Sequence, residues 1–335
     1  MSIQDKHGRL IDYLRVSVTD RCNLRCFYCM PPEGIEKLAH SQIMGYEEIK
    51  RFIEAAAQLG ISKIRFTGGE PLVRKDFYKL IESVKKVPGI EDLSMTTNGT
   101  FLADEAHRLK QAGLDRLNIS IDTLKENKFT EITRGGQLHE VITGIEKAKR
   151  VGLEPVKINI VVIRGTNDDE ILDFVKFASE YDVEVRFIEY MPMEEKENWG
   201  DAFISMEEVK KICAQLGSLE PTNTSKGNGP AKSYRINDYP KVRLGFISPV
   251  SEHFCAACNR IRLTSDGKIK TCLLSNDEID IRRIIETGND EKLHDVLRQA
   301  LFAKPSGHRI CTKEIPAGKK CQRYRSKRGM SQIGG

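Results

Sequence analysis

The sequence predicts an α/β fold in which a parallel sheet forms an open or partial barrel. Short runs rich in Val, Ile, Leu and Phe alternate with segments of helical hydrophobic period, in units of about 25–45 residues. Such alternation is typical of parallel sheets and barrels. Six units are too few for an eight-stranded barrel, and we therefore expect the barrel to be incomplete.

Six segments are predicted to be strands because β-branched and aromatic residues in them are flanked by Gly, Asp or Asn. They are Leu14–Val18, Lys63–Phe66, Leu93–Thr96, Arg116–Ser120, Val156–Ile163 and Val183–Ile188.

Two of the intervening segments carry apolar residues at i, i+3, i+4 and i+7, the pattern of an amphipathic helix. The first covers Ile49–Ala56 and is followed by Gly60, a predicted helix stop. The second covers Ile171–Ala178. It lies behind Asn167 and Glu170, whose spacing predicts a capping box.

The alternation fades after about residue 200, where Thr222–Pro230 predicts a polar Gly/Pro loop. We expect two regions: a barrel over residues 1–220 and a C-terminal region over residues 221–335. The second region ends in a basic stretch and a pair of glycines.

Composition favours a cytoplasmic protein. The mean hydropathy is −0.41, no run of 18 apolar residues predicts a membrane span, and the first residues lack the apolar core of a secretory signal. Nine cysteines in such a chain are expected to be thiolate ligands in a reducing compartment. The net charge of +5 suits an anionic small substrate and suits nucleic acid equally well.

Three cysteines fall within eight residues after the first strand: Cys22, Cys26 and Cys29. The usual structural zinc site or ferredoxin cluster has four ligands, so three thiolates leave one metal corner open for chemistry. With the aromatic Tyr28, this C-x3-C-x-aromatic-C loop resembles that of the radical S-adenosylmethionine (SAM) family. The resemblance implies a [4Fe–4S] cluster whose free iron chelates SAM. The alternatives are a zinc knuckle or a chance cluster of buried cysteines.

Polar or glycine-rich loops follow each of the six predicted strands. In parallel sheets and barrels ligands bind at the carboxyl ends of strands, so these loops are expected to meet at one mouth. They are Thr19–Met30, Thr67–Pro71, Thr96–Gly99, Ser120–Asp122, Arg164–Gly165 and Glu189–Met193.

The resemblance extends to residues that would hold SAM. Gly68-Gly69-Glu70-Pro71 matches the family's second motif, and glycine allows a close backbone approach to a ligand, which suits Gly69 beside the SAM amino group. Ser120 and Met191 match positions that contact SAM, and the Tyr28 backbone matches the adenine contact. A Gly-Gly turn into a helix, and ordinary packing of the other residues, are the alternatives.

A second cysteine group consists of Cys255, Cys258 and Cys272. Three thiolates again suggest a [4Fe–4S] cluster with an open iron. The alternative is structural zinc, its ligand set completed by one further residue. Arg260 and Arg262 follow at i, i+2 spacing, and arginine forks suit phosphate oxygens. The candidates for that further zinc ligand are Cys311, Cys321, His253 and His308.

The two cysteine groups, Asn259-Arg260-Ile261-Arg262-Leu263 and the Met330–Gly335 terminus closely resemble the GTP 3′,8-cyclase family, from about Leu10 onward. The resemblance implies a partial (βα)6 TIM-like barrel of the radical SAM type, with the C-terminal region closing its open side. SAM would lie on the first cluster and GTP between the two. A 5′-deoxyadenosyl radical would take the ribose 3′ hydrogen, and attack on guanine C8 would give 3′,8-cyclo-7,8-dihydro-GTP, the first step of molybdenum cofactor biosynthesis.

The same resemblance assigns substrate-binding residues, most of them cations inside apolar strands. Such cations are costly to bury unless they are paired or bind an anion. A triphosphate would explain them all, and salt bridges to Asp122 or Glu189 are the alternative. Gly334 and Gly335 are expected to enter the site and assist catalysis, the alternative being a frayed end. The substrate-binding residues are Arg15, Arg65, Thr96, Lys157, Arg186, Arg260 and Arg262.

The implied partners are GTP, an electron donor of the flavodoxin or ferredoxin type, and cyclic pyranopterin monophosphate synthase as the recipient of the product. No nucleic-acid or membrane partner is expected, and a homodimer is left open. Competing interpretations are a radical SAM peptide maturase, an iron–sulfur electron carrier and a nucleic-acid-binding zinc protein. None of the three needs both the arginine pair and the glycine-rich strand ends. The basic tail with Cys311 and Cys321 departs from the family pattern, and these cysteines have no predicted role.

Overall fold

The computed structural model describes residues 3–193, 199–223, 228–308 and 328–334. Strands β1 to β12 in these residues are Tyr13–Ser17, Lys63–Thr67, Asp92–Thr97, Arg116–Ser120, Val156–Val162, Glu184–Glu189, Leu219–Thr222, Lys232–Ile236, Tyr239–Ile247, Arg260–Leu263, Lys268–Lys270 and Ile279–Asp280.

All of these strands belong to one sheet, in the order β12-β11-β10-β1-β2-β3-β4-β5-β6-β9-β8-β7. Strands β1 to β6 lie side by side in chain order and run parallel. They are the six predicted strands, each with ends within one residue of the prediction. The parallel α/β fold is therefore confirmed, and the strand order agrees with an open barrel.

Helices α1 to α11 in the described residues are Tyr46–Gln58, Phe77–Lys85, Leu102–Gln111, Glu126–Thr133, Leu138–Arg150, Ile171–Glu180, Trp199–Ala202, Met206–Cys213, Arg282–Glu286, Asp290–Phe302 and Met330–Ile333. Short 3-10 helices cover His40–Gln42, Pro71–Val73, Asp168–Glu170, Ala214–Leu216 and Cys255–Ala257. None of the helices in the described ranges is long and apolar enough to cross a membrane.

Both predicted amphipathic helices are present, as α1 and α6. Gly60 follows α1 with φ of +98°, a conformation that favours glycine. The predicted capping box before α6 is wrong. Asn167 donates instead to the carbonyl oxygens of Asp122 (2.7 Å) and Val161 (2.9 Å), and Glu170 accepts from the Thr123 hydroxyl (2.8 Å). Both side chains are buried, and they tie the strand-end loops together instead of capping the helix.

The C-terminal half of the chain extends the sheet at both edges. Strand β9 runs parallel to β6 and carries the antiparallel β8 and β7. Strand β10 runs parallel to β1 and carries the antiparallel β11 and β12. The connection between β9 and β10, which holds Cys255 and Cys258, therefore passes from one edge of the barrel sheet to the other.

The two faces of the barrel strands differ in chemistry. On β1, Leu14 and Val16 are fully buried in the main apolar core. Because side chains alternate along a strand, Tyr13, Arg15 and Ser17 point to the opposite, concave face. Matching residues on the neighbouring strands make this face polar. By register and alternation they include Arg65, Ser94, Thr96, Asn118, Lys157, Asn159, Arg186 and Arg262.

Candidate active site

The first cysteine loop is tethered to the ends of two barrel strands. Asn98, after β3, donates to Asn23 Oδ1 (2.9 Å) and lies 3.8 Å from Cys22 Sγ. At the other side, the Tyr28 hydroxyl donates to Asp122 Oδ2, 2.6 Å away, just after β4. The loop is thus fixed at the carboxyl ends of the strands, where the sequence places the site.

The glycine pair after β2 lies directly against this loop. A Cβ on Gly68 would lie 2.8 Å from Thr19 O, and one on Gly69 would overlap Arg21 O and lie 2.9 Å from Cys22 N. Gly69 N also donates to Thr19 O (2.8 Å). The structure thus gives a reason for glycine here in addition to the expected approach to SAM, which stays a prediction. These glycines admit the backbone of the cysteine loop.

The thiols of the first loop fit an iron–sulfur cluster. Burial, followed by the nearby Glu70, raises the pKa of Cys22 to about 11, and burial together with Cys29 raises the pKa of Cys26. Crowded, partly buried thiols of this kind become thiolates only with a metal bound. Across the described ranges, no three His, Cys, Asp or Glu side chains could hold one metal ion. A [4Fe–4S] cluster binds each of its cysteines through a separate iron, so three thiols on one short loop suit such a cluster.

The second cysteine group is built around a buried lysine. Lys304 Nζ donates to Arg260 O (2.7 Å) and to Thr271 O (2.6 Å). These carbonyls belong to the segments that carry Cys258 and Cys272, and one ammonium therefore joins the two segments.

An arginine holds the remaining cysteine of this group. Arg9, paired with Asp5 at 2.6 Å, donates to Cys255 O (2.8 Å) and to Pro305 O (2.7 Å). The N-terminal segment thereby fixes the turn that carries Cys255 beside the end of α10.

Electrostatics favour a thiolate in this second group. Burial acts to raise the pKa of Cys258, but the Arg260 guanidinium and the Lys304 ammonium outweigh it, and the pKa falls to about 7. Burial raises the pKa of Cys272. His253 and His308 lie against each other, 3.1 Å apart, and both approach Pro249 O. Neither belongs to a single-ion ligand set among the residues described.

Three arginines meet on the concave face. Arg15 on β1 is in register with Arg65 on β2 and with Arg262 on β10. Burial, and then repulsion from Arg262, lowers the pKa of Arg15 to about 9; burial likewise lowers the pKa of Arg65 to about 9 and that of Arg262 to about 10. Buried cations whose charged forms are disfavoured in this way are stabilised by a bound anion.

Two further cations share one carboxylate. Glu184 lies 3.4 Å from Lys157 Nζ and 2.7 Å from Arg186, and all three side chains are buried. The sequence alternative named Asp122 and Glu189 as partners of the buried cations. For this pair a salt bridge within the barrel is present, but its carboxylate is Glu184, which lies on the same strand as Arg186 and in register with Lys157.

Asp122 and Glu189 instead organise loops. Asp122 accepts from Tyr28 and from Val161 N (2.8 Å). Glu189 accepts from the backbone amides of Val250 (2.8 Å) and Ser251 (2.9 Å).

Several buried polar atoms on the concave face have no hydrogen-bond partner among the described residues. They include both amide atoms of Asn118, which is almost fully buried, and the hydroxyl of Thr96. Asn159 Oδ1 and Ser233 Oγ are further examples. Buried polar groups are rarely left unpaired in folded proteins. The face is therefore suited to a polar ligand that would satisfy them.

The end of the described chain enters this face. Gly334 O accepts hydrogen bonds from Arg15 Nε, 3.3 Å away, and from Arg262 Nη1. Its φ is +71°, and a Cβ there would overlap Thr67 Oγ1 and lie 3.3 Å from Ser17 Cβ. Only glycine fits this backbone position. Gly335, Cys311 and Cys321 lie outside the described residues.

The other predicted site residues lie around the same mouth. Ser120 ends β4, and Met191 follows β6 and packs against the small apolar cluster that includes Cys272 and Ile333. Arg260 on β10 lies over the Phe254 ring, 5.0 Å from its centroid. Sequence reasoning missed Arg9, Glu184 and Lys304. Their partners are distant in the chain, and only the strand position of Glu184, two residues before Arg186, offered a local signal.

Comparison with known proteins gives a consistent picture. The family model of the Radical SAM superfamily matches residues 16–178, and that of Molybdenum Cofactor Synthesis C matches residues 183–310. The GTP 3′,8-cyclase of Listeria monocytogenes is 45% identical over 338 residues, covering 99% of both chains. That of Clostridium botulinum is 47% identical over 332 residues, also covering 99% of both, and that of Alkaliphilus oremlandii is 48% identical, covering 99% of this chain and all of the other.

Solved structures with low sequence identity share the fold. SuiB of Streptococcus suis bound to S-adenosylmethionine superposes with a TM-score of 0.61 at 15% identity, covering 91% of this chain and 73% of that chain. Native anSMEcpe with bound AdoMet gives a TM-score of 0.62 at 17% identity, covering 88% of this chain and 81% of the other. At these identities the similarity shows the fold alone.

Proposed function

The chain belongs to the GTP 3′,8-cyclase family of radical SAM proteins, and from this membership we propose that it converts GTP into 3′,8-cyclo-7,8-dihydro-GTP, the first step of molybdenum cofactor biosynthesis. The observation that carries the proposal is a concave face on which the cations Arg15, Arg65 and Arg262 lie on neighbouring strands, in a chain with two groups of three free cysteines. The cations suit the phosphates of a nucleoside triphosphate, and the cysteines suit the iron–sulfur clusters of a radical enzyme.

The chain would hold two [4Fe–4S] clusters and SAM. Cys22, Cys26 and Cys29 would hold the first cluster, and Cys255, Cys258 and Cys272 the second. When bound, these groups supply the electron and the radical chemistry that abstracts a hydrogen atom from the substrate ribose. SAM would be held by residues at the strand ends: Tyr28, Gly69, Ser120 and Met191.

The cations would bind the triphosphate. The pKa of Arg15 and that of Arg65 both fall to about 9, because burial and repulsion from neighbouring arginines disfavour their charged forms. An anion between them reverses this effect, so that phosphate binding and guanidinium charge stabilise each other. Arg260, on the strand beside β1, would add a further fork near the second cysteine group.

Polar side chains further along the concave face would orient the rest of the nucleotide. Thr96 and Asn118 lie opposite each other on β3 and β4, and their buried polar atoms have no hydrogen-bond partner within the described part of the chain. Lys157, the neighbour of Asn118 on β5, is held by Glu184. Donors and acceptors fixed in this way suit a ribose and a purine. The hydrogen bonds of these protein groups would be satisfied only when the ligand is bound in one orientation.

The finer parts of the pathway are also proposals. The chemistry needs an outside electron donor, and a protein of the flavodoxin or ferredoxin type supplies single electrons at low potential. The product would pass to cyclic pyranopterin monophosphate synthase. We place the chain in the cytoplasm, where free thiols persist, and leave a homodimer open.

An anaerobic assay tests this function. Protein reconstituted with iron and sulfide is incubated with SAM, a reductant and either GTP or ATP, and 5′-deoxyadenosine is measured. We expect formation that depends on GTP and is not supported by ATP. Cys26→Ala should abolish SAM cleavage, whereas Cys258→Ala should keep some cleavage and lose GTP conversion. Equal loss of SAM cleavage in both variants would contradict the division of labour between the two cysteine groups.

A further inference from the structure

The last described segment, residues 328–334, is anchored at its start by an arginine. Arg328 Nη1 and Nη2 donate to the two oxygens of Asp266, at 2.9 and 2.8 Å, and Nη2 also lies 2.9 Å from Glu278 Oε2. The contact is a bidentate fork, the strongest geometry for an arginine–carboxylate pair. Arg328 is the only charged residue in the segment.

The carboxylate that receives this fork is itself fixed. Asp266 lies in the turn between β10 and β11, where Thr264 Oγ1 donates to it at 2.6 Å. The Arg328 fork and this hydroxyl hold the pKa of Asp266 at about 2 against the opposing effect of burial, so it is ionised at any working pH. An anchor on a rigid turn can set the position of the six residues that come after Arg328.

The segment then passes the first cysteine loop and the part of the second group that carries Cys272. A Cβ on Gly329 would lie 3.7 Å from Cys29 O, in the first loop. Ile333 is fully buried with Met193, Val250 and Leu274, in the cluster against which Cys272 packs.

The segment ends at Gly334 O, on two arginines of the concave face. Arg15 and Arg262 donate to this oxygen. The acceptor at the proposed phosphate site is therefore only six positions along the chain from Arg328.

We propose that Arg328 is a positioning residue for the cyclisation: its fork to Asp266 and Glu278 sets the position of segment 328–334, so that the Gly334 carbonyl reaches Arg15 and Arg262. This inference rests on the proposed function. Because α11 is a single helical turn, its own hydrogen bonds contribute little to holding it in place. The fork raises the effective concentration of the Gly334 carbonyl at the arginines, as a tether does for any second contact.

The test compares Arg328→Ala, Arg328→Lys and Lys268→Ala in the reconstituted full-length protein. Lys268 is the matched control, because it approaches the same Asp266 and Glu278, at 3.6 Å each, and no contact of it with the tail segment is seen in the described residues. Each variant is also made in protein that lacks Gly334 and Gly335. The readouts are kcat and KM for GTP, and anaerobic hydrogen exchange of the C-terminal peptide that begins at Gly329.

Arg328→Ala should lower kcat/KM for GTP about tenfold, the scale of one lost charge-assisted bond. Arg328→Lys should recover part of the loss, since a lysine cannot form the fork. Lys268→Ala should have the same kcat/KM for GTP as the unsubstituted protein. In the tail-deleted background, Arg328→Ala should change kcat/KM less than about twofold, because two changes that act through one element are not additive.

Hydrogen exchange separates this inference from the proposed function. Exchange of the C-terminal peptide should become faster in Arg328→Ala and remain unchanged in Lys268→Ala, whether or not GTP is turned over. Unchanged exchange in Arg328→Ala, or the same tenfold loss of kcat/KM with and without the two glycines, would overturn the positioning role. If Arg328→Ala exchanges faster but the unsubstituted protein does not turn over GTP at all, the proposed function is refuted and the anchoring role of Arg328 is kept.

Discussion

The Tyr28 hydroxyl donates a 2.6 Å hydrogen bond to Asp122, joining the first cysteine loop to the carboxyl end of β4. The sequence pattern marks Tyr28 only as an aromatic residue before a cysteine. The structure shows that the hydroxyl of this residue also anchors the loop. Its partner Asp122 lies two residues after Ser120, which is also proposed to contact SAM.

Tyr28→Phe tests this anchor. Removing the hydroxyl leaves the buried Asp122 with one fewer partner and frees one side of the loop, at a cost of about 1–3 kcal/mol. We expect SAM affinity to fall by about tenfold, measured anaerobically by equilibrium binding, while the iron content stays unchanged. Tyr46→Phe, which removes a hydroxyl bonded to Lys75 O outside the site, serves as the control. Unchanged SAM binding in Tyr28→Phe would show that the anchor does not position the loop.

Gly69→Ala should disrupt the first cysteine loop, because the new Cβ would overlap the Arg21 carbonyl. We expect about four irons to be lost per chain after reconstitution, with SAM cleavage lost as well. Gly45→Ala is the control, since a Cβ there meets only flexible Glu48 and Glu47 side-chain atoms at 3.4 and 3.6 Å. Full iron content in Gly69→Ala would mean that the loop can shift without losing its cluster.

Lys304→Met should disable the second cysteine group alone. The change removes two bonds to carbonyls and a cation that favours the Cys258 thiolate. We expect iron content to fall by about four per chain while uncoupled SAM cleavage persists. The matched control is Lys149→Met, because Lys149 Nζ also donates to two carbonyls, those of Tyr181 and Asp182, far from any predicted ligand. Equal iron loss in both variants would assign Lys304 to general stability.

Lys157 predicts a pH dependence of GTP binding. Burial, and then Arg186, lowers its pKa to about 7 in the free protein, so it is largely neutral above that pH. A bound anion favours the charged form, and binding must therefore take up a proton above pH 7. We expect GTP affinity to weaken as the pH rises from about 7 to about 9, approaching tenfold per unit at most.

Calorimetry in buffers of different ionisation enthalpy would measure that proton uptake. Lys157→Met corrects for the titration of GTP and of the buried arginines, because the variant keeps those contributions to the pH dependence of its affinity and loses only that of Lys157. An identical pH profile in both proteins would contradict the assignment of Lys157.

Much of the fold and part of the candidate site could be predicted from sequence, and the particular residues explain why. Strands β1 to β6 are predictable because their signal is local: branched residues, hydrophobic period and flanking glycines. The two cysteine groups are predictable for a similar reason, because each is recognised from the spacing of its cysteines along the chain. The placement of β7–β9 and β10–β12 on opposite edges depends on long-range pairing, which no local pattern reports.

The partners of buried charges were the least predictable features. Lys304 joins carbonyls 44 and 33 residues away, and Arg9 reaches Cys255 across 246 residues. Asn167 and Glu170 show the opposite failure: a local capping pattern is present, but burial gives these side chains tertiary partners instead. The roles assigned to individual site residues remain predictions that the proposed variants would test.

The most direct measurement of the central claim uses GTP deuterated at the ribose 3′ position. Reconstituted protein is incubated anaerobically with SAM, reductant and this substrate, and both products are examined by mass spectrometry. The proposed function predicts one deuterium in 5′-deoxyadenosine for each cyclised nucleotide. Deuterium retained in the nucleotide, or 5′-deoxyadenosine formed at the same rate without GTP, would contradict it.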